Sequence, residues 1–109
     1  NPNEIYAEAG RWLRDTVSVE GVAFTKPWIA HYAGAPRISI PVTGPAGIAD
    51  ELKRRGATHL VIDNRHVPRV RPDLAEALYR APMGLRKLHS LRRGSDHLVI
   101  YAVNRSSDG

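Results

Sequence analysis

Between positions 63 and 71 the chain reads Asp63-Asn64-Arg65-His66, with Arg69 and Arg71 close behind. A carboxylate, an amide, an imidazole and several guanidinium groups thus follow one another on one short segment. The chemistry such a set offers is recognition of an anion, because a planar guanidinium meets phosphate or carboxylate oxygens through two parallel hydrogen bonds. The plainer alternative is a solvated loop in which Asp63 caps or pairs locally. A second group, Lys26, His31, Tyr32 and Arg37, surrounds a short apolar segment. It also offers cations and ring edges for a ligand or a docking surface. Its plainer alternative is aromatic packing in a core or interface. Trp28 is the residue to suspect of covering a neighbouring surface, should it prove exposed.

Other chemistries lack their residues. There is no cysteine, so disulfides, Cys-ligated zinc, iron–sulfur clusters and thiol catalysis are out. The five histidines, His31, His59, His66, His89 and His97, show no i, i+4 metal spacing with an acidic helper. Gly44-Pro45-Ala46-Gly47 opens a helix without the spacing of a dinucleotide fingerprint or the Gly-Lys-Ser/Thr of a P-loop. Ser39, Ser90 and Ser95 have no nucleophile-elbow context. The reading is therefore no catalytic set, no metal and no cofactor.

The elements that must position these residues alternate. Ile5, Ala9, Trp12, Leu13 and Thr16 recur at three-to-four spacing and predict a helix over Glu4–Thr16, with Asn3 as N-cap. Val22–Thr25 reads as a short strand. Pro27 can open a helix over Trp28–Ala33, and Gly34 suits its left-handed cap. Arg37–Ile40 is a second strand, closed by Pro41. Ala46–Arg55 is a third helix with Lys53-Arg54-Arg55 in its last turn and Gly56 as its stop. His59–Asp63 is the clearest strand, an apolar run suited to a central position covered on both faces. Asn64–Arg71 reads as a basic loop and Pro72–Tyr79 as a fourth helix. Leu85–Leu91 and Leu98–Val103 then form a hairpin around Arg93-Gly94-Ser95-Asp96. The order α-β-α-β-α-β-α-β-β predicts an α/β fold: a three-layer Rossmann-like sandwich, early strands parallel, with an antiparallel C-terminal hairpin. The candidate site segments then fall at the carboxyl ends of parallel strands, where open α/β sheets bind ligands.

At 109 residues the expectation is one domain over 1–103, followed by a polar tail over 104–109. The hydrophobic share of 42% suits a folded chain. No run approaches the roughly 18 to 20 apolar residues of a membrane span. The start, Asn1-Pro2-Asn3-Glu4, has no signal-peptide pattern, so the chain as given is expected to be soluble. The net charge of +5 favours anionic partners, and arginine supplies 13 of the 16 basic residues. Nucleic acid is not the expected partner: the charges are spread along the chain with no aromatic-interleaved basic stripe and no recognisable helix-turn-helix.

Several segments together resemble a known family. Tyr6-Ala7-Glu8-Ala9-Gly10-Arg11-Trp12-Leu13 is similar to the helix that begins the water-soluble domain of bacterial polyprenyl-phosphate-sugar-dependent membrane glycosyltransferases. This class includes protein mannosyltransferases and lipid A aminoarabinose transferases. His31-Tyr32-Ala33-Gly34 resembles the family's Tyr-Tyr-Ser-Gly, and Ile40-Pro41 sits where a Leu-Pro is usual. Gly56-Ala57-Thr58-His59-Leu60-Val61-Ile62-Asp63 resembles its Gly-Ala-Asp-Tyr-Leu-Val-Val-Asp, and Val99-Ile100-Tyr101 its closing strand. The likeness runs over residues 6–103. It departs at His31, where a tyrosine is usual, and at Ala35, where an arginine is common and Arg37 follows two places on. The resemblance implies a multi-pass enzyme whose catalytic acid lies in the membrane-embedded part. This domain would then sit on the extracytoplasmic face of the bacterial cytoplasmic membrane. It would be a non-catalytic lid, acceptor platform or assembly surface, meeting the membrane part of the same chain and a lipid-linked sugar or acceptor. The alternative from the residues is a free-standing module that binds a phosphorylated or acidic small molecule.

Overall fold

A computed structural model describes residues 3–104. Helix α1 runs Glu4–Thr16, as its periodicity predicts, and buries Ile5, Tyr6, Ala7, Ala9, Gly10 and Leu13. The buried stripe is rotated toward Tyr6 and Gly10 relative to the expected one. Thr16 is exposed, and Trp12 is only half-buried, stacking flat on His89 at 4.5 Å between ring centroids. Asn3 stands at the N-cap, but its side chain makes no capping bond.

Strand β1 is Val22–Ala23, helix α2 is Trp28–Ala33 and strand β2 is Arg37–Ile38. Gly34 closes α2 with φ 71°, the left-handed cap its sequence predicts. Both strands are shorter than predicted. Phe24 still reaches the Ile38 carbonyl at 3.3 Å, and then the two chains part. Beyond Ile38 the segment is held by a side chain instead of a ladder. The Arg71 guanidinium donates to the carbonyls of Pro41 and Thr43.

The third predicted helix is a 3-10 turn over Pro45–Gly47 that runs into α3, Ile48–Arg54. Strand β3, His59–Asp63, is buried at every residue. The expected loop after it contains a helical turn, α4, over Val67–Val70. Its cause is Asp63, whose carboxylate accepts the backbone N–H of His66 and Val67 and so fixes the turn. The fourth predicted helix is 3-10 in geometry, over Pro72–Leu78. Strands β4, Leu85–Arg93, and β5, Asp96–Val103, make the hairpin, with Gly94 at φ 59° in the turn. A bulge between Lys87 and His89 accounts for the imperfect alternation of β4.

The five strands form one mixed sheet in the order β2-β1-β3-β5-β4. β1 is parallel to β2 and β3, and β5 is antiparallel to β3 and β4. The fold is therefore mixed α/β with parallel early strands and an antiparallel C-terminal pair, as expected. Cross-strand partners share a face, so Asp63 lies with Leu98, and Leu60 with Tyr101. The Tyr6 hydroxyl of α1 reaches Asp63 on the first face. The Tyr101 hydroxyl donates to the Ala77 carbonyl of the 72–78 turn on the second. Among the described residues no helix is long and apolar enough to cross a membrane. Residues 105–109, most of the expected polar tail, lie outside the described set.

Candidate cationic groove

Parallel strands β1, β2 and β3 deliver their carboxyl ends to one edge of the sheet, the edge at which such sheets hold ligands. A groove of about 420 Å³ opens there. The link after β1 contributes Thr25 and Lys26 to its wall. β2 and its continuation contribute Arg37, Ser39 and Ile40. The segment after β3 contributes His66, Arg69, Val70 and Arg71. Four of these side chains are cationic, and among the described residues no acidic one lines the groove.

The cations differ in how they are held. Arg71 is half-buried, donates to Asp73 through Nε and Nη2 at 3.0 and 2.9 Å, and anchors the 41–43 segment. It is a structural clamp whose charge Asp73 offsets. Arg37 is exposed and donates through Nη2 to the Thr25 carbonyl at 3.2 Å, which ties β2 to the end of β1. Lys26 is exposed with its Nζ 6.0 Å from the Trp28 ring centroid, and Arg69 is exposed on α4. Trp28 itself is half-buried, packed on Tyr6 and His66, so it covers the core.

Beneath the groove lies an aromatic nest. The His66 ring meets Tyr6, Phe24 and Trp28 at 5.7, 6.5 and 5.4 Å between centroids. Burial holds the His66 imidazole below its ordinary value. Asp63 pulls upward against this, while Arg65, Lys26 and Arg69 push further down. Two buried polar atoms on the groove's wall residues have no hydrogen-bond partner among the described residues, His66 Nε2 and Thr25 Oγ1. Buried polar atoms are nearly always paired, so a pair of orphans beside one cleft marks it as unusual.

The sequence-predicted residues separate into three places. Lys26, Arg37, His66 and Arg69 come together in the groove, although they arise from two stretches some thirty residues apart in the chain. Asp63 does not line it. It is 1% exposed and accepts the Tyr6 hydroxyl at 2.6 Å, the His66 N–H at 3.0 and 3.1 Å and the Val67 N–H at 2.8 Å. Burial first, then the bond to Asp63, raises the Tyr6 phenol far above its ordinary value. Arg65 turns the other way, over the Tyr6 ring and within 3.5 Å of Asp96. His31 and Tyr32 are exposed and stand elsewhere. Tyr32 borders a separate depression with Arg11, whose guanidinium carbon is 5.7 Å from the ring centroid.

Sequence reasoning missed Thr25 and Ser39 on the groove wall, and the Tyr6–Asp63 bond below it. Tyr6 carried a usable signal: Tyr6, Ala9, Gly10 and Leu13 fall at i, i+3, i+4 and i+7. Nothing local marked Thr25 or Ser39, whose position depends on strand pairing.

Among the described residues no group of three His, Cys, Asp or Glu could hold a metal ion. What the groove offers is electrostatic and hydrogen-bonding recognition of an oxyanion, on a mixed α/β frame. Comparison of the chain with protein-family models, with curated proteins and with solved structures found no match.

Proposed function

We propose that this chain is a non-catalytic extracytoplasmic domain of a polyprenyl-phosphate-sugar-dependent membrane glycosyltransferase. It accompanies the membrane-embedded part of the same chain as a lid, acceptor platform or assembly surface. The observation that carries the reading is where the family-like segments fall. Gly56–Asp63 forms the left-handed turn and buried central strand, and His31–Gly34 ends the helix whose cap brings the chain to β2. Val99-Ile100-Tyr101 lies beside β3 in β5. These are parts that place β2, β3 and β5 in the sheet. The finer architecture belongs to the same proposal. With α1 on the Asp63 face and the 72–78 turn on the Tyr101 face, the domain is a three-layer Rossmann-like sandwich.

The test is the reading frame upstream of Asn1 together with the activity of the chain. The frame should encode several apolar segments of about 20 residues each. The 109-residue chain, given a polyprenyl-phosphate hexose and acceptor, should release no product. An upstream frame without such segments, or turnover by the chain alone, would overturn the reading.

A further inference from the structure

We propose that the groove at the carboxyl ends of β1, β2 and β3 is a binding site for a phosphate ester, held by Lys26, Arg37 and Arg69. The site stands on its own geometry and does not depend on what the chain accompanies.

Three strand ends converge on it, and its lining carries Lys26, Arg37 and Arg69 with no carboxylate among the described residues there. Among the described residues, Arg71 alone of the four lining cations has an acidic partner in an ion pair, Asp73. Cations drawn together without acids repel one another, and a bound anion relieves that repulsion. Guanidinium groups favour an anion that presents several oxygens to a planar fork, which is the geometry of a phosphate. The Ser39 side chain adds a hydroxyl at the same wall.

Size separates a bare ion from an ester. A volume of about 420 Å³ falls in the range of roughly 300–1,000 Å³ that small organic ligands occupy. The same wall carries two aliphatic side chains, Ile40 and Val70, the latter 62% exposed. An ester would place its phosphate among the cations and its organic part along this aliphatic strip. The phosphate could come from a soluble metabolite or from a lipid headgroup, and the probes below distinguish these sources.

The 109-residue chain is titrated with glucose 1-phosphate and with inorganic phosphate, by calorimetry and by amide chemical shifts. It is also mixed with phosphatidylcholine vesicles that do or do not contain phosphatidic acid. The variants are Lys26→Ala/Arg69→Ala in the groove and Arg86→Ala/Arg92→Ala on β4 at the opposite edge of the sheet. Both lower the net charge equally at exposed positions, and amide spectra establish that each is folded. The expected result is saturable binding of glucose 1-phosphate or of the phosphatidic acid vesicles. Shifts should centre on Thr25, Ser39 and His66. Affinity should fall at least about tenfold in the groove variant and less than about twofold in the β4 variant. Binding of the sugar phosphate assigns a soluble source, and binding of the vesicles alone a lipid one. No saturable binding of any probe, or equal weakening in both variants, would overturn the site.

Discussion

Asp63 is the residue on which the region beneath the groove turns. Its carboxylate is buried and meets three donors, one side-chain hydroxyl and two backbone N–H groups. A buried carboxylate is tolerated only when so paired, because unpaired it loses several kcal/mol of hydration. The two ends of this arrangement are unequal. Tyr6→Phe removes one hydrogen bond to a charged group and keeps the ring packed on Phe24 and Trp28, so the expected loss is about 1.5–3 kcal/mol. Asp63→Ala strands the Tyr6 hydroxyl and the two N–H groups that fix α4, so its loss is about 3 kcal/mol or more. Urea unfolding of both variants measures the difference. An Asp63→Ala chain no less stable than Tyr6→Phe would mean that the carboxylate is not what organises α4. The same geometry shows why Asp63 makes no groove ligand: its oxygens are already engaged.

At the scale of elements, the close approach of α1 and α2 rests on Gly10. A Cβ built there would sit 2.5 Å from the Tyr32 Cβ and 2.6 Å from the Ile29 carbonyl oxygen. Two effects compete in Gly10→Ala. Helix propensity favours alanine by about 1 kcal/mol. Overpacking against a neighbouring backbone costs about 1–3 kcal/mol. The nearer contacts are a Cβ and a backbone oxygen, neither of which swings away as a flexible side chain would, so the overpacking wins and the variant should unfold at lower urea. A more stable Gly10→Ala would show that α2 can shift away freely. This interface also marks how far the sequence could be read. α1, α2 and β3 were legible to the residue, because each carries its own signal: a period of 3.6, a Pro–Gly bracket, an unbroken apolar run. The antiparallel hairpin was legible from Gly94 and the apolar run of β5. The lengths of β1 and β2 were not, because a two-residue ladder ends where Arg71, from a distant segment, takes over the carbonyls. The turn of α4 was hidden for a like reason, since Val67-Pro68-Arg69-Val70 has no helical pattern and is wound by Asp63. Of the site, the cations could be picked out by type. That Lys26 and Arg37 would join His66 and Arg69, while His31 and Tyr32 would not, follows from sheet order alone.

The whole molecule couples its charge to its core through histidine. His59 begins the central strand, is 5% exposed, and lies on the sheet face that α1 covers. Burial, and then the charge of Arg86 on β4, lower its imidazole from 6.5 to about 4. Burial likewise lowers His66 and His97. The sign follows from which state binds the proton. Below about pH 6.5 the unfolded chain protonates His59, while the folded chain resists until about pH 4. The stability tied to the neutral ring is therefore complete above pH 6.5, drains as the pH falls, and is gone below about pH 4. Its size is about 3 kcal/mol, a large part of the roughly 5–15 kcal/mol that holds a domain together. Each proton also adds to a chain already at +5, so repulsion acts in the same direction. His59→Gln separates the two contributions, since it keeps a polar side chain at the site and removes only this titration. Urea midpoints at pH 7.5, 5.5 and 4.0 should fall for both proteins, and more steeply for the parent chain between 6.5 and 4. Parallel curves would mean that the acid sensitivity belongs to the general charge and that His59 takes up its proton as readily folded as unfolded.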